Sequence, residues 1–423
     1  MADGIQRIEK QPSVSSAPSS SDIDVEKVVT SHEDVVNEES SVHIVDLAAE
    51  RRLVRRLDMR IIPASMFINI LCFLDRSNIG NAKILNADTG DALMQATHIT
   101  SLQYSQALMV FFVAHATFRI PSNYMLKKLY PSRWLAFLMM GWGGTTMILA
   151  AAKDFASLTG IRFLLVPSRP ACLPGSYTSL RSDYPETVSW LSPAERELAT
   201  NRIKGVASLG QSKISWADTK AMLLDYRLYL HYLAFVSASV PFSSISLFAP
   251  TIVSGLGFEG LNAQLFTVPP YVVAFVVTVI VAWISDRYGL WSCGSFASFV
   301  LSGVSFLVQG VLPPTAFKAR YVMLCAAASF SYACQAPLIT WMSVNLRNTS
   351  ATTLAIALNV TLGTIGQIIG VFIYKPDEAP GYPTGHFTNA AVMFEGAPVV
   401  LLLIWIYSRC NRRLAPGEPT WKL

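Results

Sequence analysis

The stretch "ILCFLDRSNIGNAKI", residues 70–84, begins as apolar as any part of the chain. It then sets Asp75 beside Arg76, with Asn78, Gly80 and Asn81 close behind. On insertion scales a charged side chain at the centre of a bilayer costs roughly 2.5–3.5 kcal/mol. In a soluble core an ion pair rarely repays its desolvation. The pair therefore marks either the end of a membrane helix or a working group inside one, and the surrounding sequence has to decide.

Those surroundings are membrane-like. The chain has 423 residues, 52% hydrophobic and 14% charged, with a mean hydropathy of +0.39. Soluble domains carry about 25% charged residues. The composition predicts an all-α, multi-pass membrane protein lying in a lipid bilayer. The net charge is +5, and the arginines and lysines gather in short loops between apolar runs. That pattern reports topology and predicts no nucleic-acid partner. Cys72, Cys172, Cys293, Cys325, Cys334 and Cys410 form no C-x-x-C pair. They read as small buried hydrophobes, not as disulfides or metal ligands. No metal and no other cofactor is expected. H-E-x-x-H, G-x-S-x-G, G-x-x-x-x-G-K-[ST] and dinucleotide-binding glycine patterns are all missing, so the sequence predicts neither an enzyme nor an ATP-driven pump.

A membrane helix needs about 20 mostly apolar residues. That ruler places spans at about 61–79, 104–126 and 134–152, and a damaged one at about 155–180. Six more follow, at about 228–254, 263–284, 290–312, 319–341, 349–374 and 387–409, giving about ten in all. Residues 1–50 are Ser-rich and acidic, without a long apolar run, and read as a disordered cytoplasmic tail with no cleavable signal. Residues 51–182 read as an incomplete first bundle and 183–226 as a cytoplasmic central loop. Residues 227–410 read as a six-helix second bundle and 411–423 as a cytoplasmic tail. The basic block "ERRLVRRLDMR" (50–60) puts the N-terminus inside. "KKLYPSR" (127–133) and "SRCNRR" (408–413) also fall inside, and "NADTGDALMQATH" (86–98) and "YKPDEAPGYPTGH" (374–386) outside. In the central loop Ser192, Pro193 and Glu195 form a capping box that predicts a surface helix.

Several stretches, in the same order, resemble the fungal major facilitator superfamily (MFS), in its anion:cation symporter group that includes allantoate permeases. They are "FLDRSNIGNAKI" (73–84), "IPSNYMLKKLYPSRWL" (120–135), "SISLFAPTIVSGLGF" (244–258), "AQLFTVPPYVVAFVVTVIVAWISDRYG" (263–289) and "LNVTLGTIGQIIGVFIYKPDEAPGYPTGH" (358–386). The resemblance covers nearly all of residues 51–410. It implies twelve helices in two six-helix halves that rock about a midplane site. It further implies a monomer in the plasma membrane that moves a small anionic molecule with protons.

The chain departs from that family in three places. "RFLLV" (162–166) and the short "PSRPACLPGSYTSL" (167–180) run directly into "RSDYPETVSWLSPAERELA" (181–199). The fifth and sixth helices are therefore expected to be missing, a loss of about 70 residues at ~30 per helix and loop. Pro167, Arg169 and Pro170 interrupt what remains of the fourth span. Two readings of the junction stand: a wrong exon boundary or a degenerate gene. Arg119 also takes the place of an acidic residue, and the family's fourth-helix glutamate aligns near Pro170. Asp75 is then the first half's remaining candidate for a titrating carboxylate.

The candidate residues carry paired readings. Asp75 and Arg76 form either a gate that titrates and attracts an anion, or an interfacial pair contributing about 0–1 kcal/mol. Asn78 and Asn81 could share the Asp75 network. His115 and Arg119, four apart, either face a central cavity or snorkel to headgroups. Asp286 and Arg287 in "SDRYG" match the superfamily's loop signature, which implies a conformational latch. Gly363, Gly366 and Gly370 give a small-residue packing face. Gln335, Trp341 and Asn359 are polar or amphipathic groups that could line the cavity. The leading reading is a proton-coupled secondary transporter of a vitamin, carboxylate or ureide-like anion. The alternatives are a transporter of a fungal secondary metabolite and a degenerate, non-transporting membrane protein.

Overall fold

The computed structural model describes positions 52, 55, 59, 63, 66, 67, 70, 71, 74, 75, 78–83 and 90, and the segments 92–128, 131–168, 216–258, 260–346, 349–415, 418 and 420–423. Arg76, the N-terminal tail, Pro170 and the central-loop helix expected around Ser192 lie outside the described residues. Among those described, all regular structure is helical. Lipid dictates this, because a chain crossing it has no water to satisfy its backbone groups.

The described positions between 52 and 83 are all helical and are here called α1. The first half continues with α2 (Ser101–Lys128), α3 (Pro131–Leu149) and α4 (Phe155–Ser168), in which α4 packs on both α2 and α3. The fourth span is helical as far as Ser168. A short α5 (Trp216–Leu223) leads into the second half: α6 (Tyr226–Gly255), α7 (Val268–Tyr288), α8 (Trp291–Val311), α9 (Phe317–Ala333), α10 (Gln335–Asn345), α11 (Thr349–Phe372) and α12 (Pro383–Asn411). Helices α9 and α10 are one span broken at Cys334, so six spans long and apolar enough to cross a membrane occupy residues 226–411. Each lies within a few residues of its expected position.

Helix α6 is the hub, with 83% of its apolar window buried. It carries Ser237, Ser239, Ser243, Ser244 and Ser246, all buried, and small side chains let neighbouring backbones close in. It carries Pro241 and Pro250 in its interior, and two of its hydroxyls bond back to its own carbonyls, Ser237 to Leu233 at 3.0 Å and Ser244 to Pro241 at 3.2 Å. Helix α11 runs against it through the expected glycine face. A Cβ on Gly370 would lie 2.5 Å from the Val240 carbonyl oxygen, and one on Gly366 would overlap that of Val236. By contrast α7 is only 17% buried and presents Val272, Phe275, Val276 and Val279 outward, as a lipid-facing helix should.

The chain's last residues dock on the second half. The Trp421 indole stacks on Tyr407 with centroids 5.6 Å apart, and the Arg227 guanidinium lies 4.1 Å from its centroid. Asn411 exchanges two hydrogen bonds with the Trp421 backbone, at 2.8 and 2.7 Å. Asn345 does the same with the Lys422 backbone, at 3.0 and 2.8 Å. The Trp341 indole also donates to the Lys422 carbonyl at 3.0 Å. Residues from α6, α10 and α12 are thereby strapped together.

Candidate functional site

The two halves meet in an apolar seam near the end of α1. Ile79, Leu108 and Phe112 from the first half join one buried cluster with Leu247, Phe248 and Val371 from the second. Gly80 lets α1 lie directly on α6, since a Cβ there would overlap the Leu247 carbonyl oxygen. The Tyr104 hydroxyl donates to the Ile79 carbonyl at 3.0 Å, which ties α2 to the same turn.

Beside the seam lies a cavity of about 170 Å³, lined by Lys83 of α1, Phe248, Thr251 and Ile252 of α6, and Tyr374, Pro376 and Tyr382 from the α11–α12 connection. The Lys83 ammonium stands 5.4 Å from the Tyr104 ring centroid and 5.6 Å from that of Phe248. Arg320, almost wholly buried, fixes the connection by donating to the Pro380 carbonyl at 3.2 Å and the Gly381 carbonyl at 2.5 Å. Asn389 donates to Ser244 at 3.0 Å and to the Tyr374 hydroxyl at 3.3 Å, and His386 Nδ1 lies 3.2 Å from that hydroxyl. Burial pushes the Tyr374 and Tyr382 phenols up, against an opposing pull from Arg320. Both therefore stay protonated near neutrality.

The residues singled out in the sequence are placed separately. Asp75 is half-buried and accepts from the Trp142 indole of α3 at 3.3 Å. It lies eight residues before Lys83, about 12 Å along the helix at 1.5 Å per residue, and so within α1 instead of at its tip. Arg76 is outside the described residues. Asn78 is exposed, and the Asn81 Oδ1 is buried without a partner. Steps of three and six residues turn about 60° and 120° away from Asp75, and neither asparagine is seen bonded to it. His115 is half-buried and stacks on Phe111 at 6.3 Å. Arg119 follows one turn later on α2, with its side chain outside the described residues.

In the second half Gln335 sits just after the α9–α10 break and donates to the Ala238 carbonyl of α6 at 3.2 Å. Trp341 is wholly buried, edge-on to His231 at 4.8 Å and to Tyr407 at 5.8 Å, and its indole serves the tail. Asn359, on α11, is buried with Oδ1 unpartnered. Asp286 and Arg287 are exposed at the end of α7, and Asp286 accepts from the Trp291 indole at the start of α8, at 2.8 Å. Sequence reasoning missed Lys83, Arg320, Tyr374 and Tyr382. The available signal was a lysine directly after an apolar run and a tyrosine on each side of "KPDEAPG" (375–381), which read as ordinary loop residues.

Known proteins agree with this architecture. Residues 186–405 match the family described as "Sugar (and other) transporter". The chain is 41% identical to MFS transporter prlL of Fungal sp. (strain NRRL 50135) over 439 aligned positions, covering 87% of this chain and 89% of the relative. It is 28% identical to MFS-type transporter cnsO of Penicillium expansum, covering 96% and 94%. It is 22% identical to the high-affinity nicotinic acid transporter of Saccharomyces cerevisiae, covering 86% and 79%. Among solved structures, the nucleoside transporter NupG superposes with a TM-score of 0.50 at 11% identity, over 80% of this chain and 98% of that one, a likeness of fold alone. With its helical halves, apolar seam and these relatives, the chain belongs to the sugar (and other) transporter family, among the MFS transporters.

Proposed function

We propose that this transporter carries a small organic anion, a carboxylate, vitamin or ureide, together with protons and by alternating access. The observation that carries the reading is the seam between Ile79, Leu108 and Phe112 on one half and Leu247, Phe248 and Val371 on the other. Among the described residues these apolar contacts close one end of the interface, and they can part and re-form without breaking an ion pair. Asp75 is the proposed proton carrier: it is a half-buried carboxylate inside α1, with a neutral indole as its partner. A relative named for nicotinic acid supports a carboxylate cargo. Uptake of radiolabelled nicotinate into cells expressing the chain is expected to rise as external pH falls and to collapse with a protonophore. Asp75→Asn should remove that pH dependence. Uptake indifferent to the protonophore would end the coupling claim.

We further infer that the sequence has lost two helices between Val166 and Asp183. In the alignment with prlL, 87% of 423 residues is about 368, which leaves about 70 of the 439 positions filled by the relative alone. That is the length of two helices with their loops, at ~30 residues each. Full-length transcripts are expected to encode two further apolar spans there. Transcripts that match the present residues would favour a degenerate, non-transporting protein instead.

A further inference from the structure

The cavity beside the seam has the chemistry of a binding site, and transport by way of Asp75 does not use it. Its cation, Lys83, faces two aromatic rings, and among the described residues no carboxylate pairs with it. Thr251 also lines the cavity, and its Oγ1 is buried without a hydrogen-bond partner. The remaining walls are Phe248, Ile252, Tyr374, Pro376 and Tyr382. Glu378, in the same connection as Tyr374 and Tyr382, is engaged by the Thr384 amide at 2.9 Å. The Arg320 guanidinium, held on the Pro380 and Gly381 carbonyls next to Tyr382, adds a second positive charge. An unneutralised ammonium, an idle hydroxyl and aromatic walls are the recognition set for a carboxylate attached to an apolar body.

We propose that this cavity binds a small organic monoanion, its carboxylate between Lys83 Nζ and Thr251 Oγ1 and its body against Phe248 and Tyr382. The volume of about 170 Å³ sets the size, since a cavity of about 150 Å³ holds benzene. One ring or a short aliphatic chain fits, and a drug-sized molecule, needing about 300 Å³ or more, does not. Lys83 comes from the first half and every other wall from the second, so the site exists only while this end of the interface is closed. A ligand bound there favours the closed state by its differential affinity. The site goes beyond the transport reading and lies about 12 Å along α1 from Asp75.

The test is binding of benzoate to the purified full-length chain, followed by titration calorimetry and by the shift in thermal unfolding. Benzoate is expected to bind and stabilise, while neutral benzamide and chloride do neither. Lys83→Gln should weaken benzoate by about tenfold or more, as loss of a charged hydrogen bond does. If Lys83→Gln does not fold, Thr251→Val is the second variant and should weaken binding severalfold with the unliganded melting temperature unchanged. Equal benzoate binding by the folded variants overturns the site, and so does chloride acting as well as benzoate, which would mean an adventitious ion only. Binding is read without uptake, so a failed proton-coupling test leaves this inference standing, and the reverse also holds.

Discussion

Gly366→Leu is expected to abolish the folded protein. At this position α6 and α11 touch backbone to backbone, and even a methyl group on Gly366 would overlap the Val236 carbonyl oxygen and crowd the Ser239 side chain at 3.1 Å. A flexible side chain could turn away, but a helix carbonyl bonded within its own turn cannot. The two helices must separate, and their separation undoes the close approach next to it at Gly370, where a Cβ would lie 2.5 Å from the Val240 carbonyl oxygen. Overpacking a well-filled core commonly costs about 1–3 kcal/mol, and a clash with backbone on the hub helix belongs at or above the top of that range. Size-exclusion chromatography in detergent should show loss of the monodisperse peak. Gly143→Ala is the matched control, because a Cβ there meets nothing within 4 Å. A normal peak for Gly366→Leu would mean that the α6–α11 approach is looser than described.

Trp341→Ala is expected to lower stability by about 3–5 kcal/mol, the usual cost of deleting a fully buried large aromatic side chain. The indole fills the space between His231 and Tyr407, and its N–H holds the Lys422 carbonyl. Trp341→Phe separates these two roles. It keeps a ring in the gap and should cost only about 1 kcal/mol for the lost donor, while loosening the tail. Thermal unfolding measures the first effect, and trypsin cleavage after Lys422 and Arg413 measures the second. Equal melting temperatures for the two variants would show that packing is not what Trp341 supplies.

What the sequence disclosed follows from the physics of the solvent. Hydropathy located the six spans of the second half to within a few residues, because a bilayer imposes length and apolarity on each helix independently of its neighbours. The glycine face of α11 was legible for a similar reason, since its spacing alone sets which residues share a stripe. Partners were not legible. Asp75 and Trp142 are 67 positions apart and meet only when α1 and α3 pack. Trp341 reads as a cavity residue until a tail 81 positions away is found against it. Nor was Lys83 legible, because a lysine after an apolar run looks the same whether it ends in water or over two aromatic rings.

The docked tail bears on how the molecule can be handled. Trp421 and Lys422, directly before Leu423, are held by α6, α10 and α12. A fluorescent protein or affinity tag joined there would pull on Trp421 and Lys422 from one residue away, and the attachment itself would loosen the second half. Poor behaviour of such a fusion would then be read as a fault of the membrane core. A reporter placed away from Trp421 and Lys422 reports on the core without touching the dock.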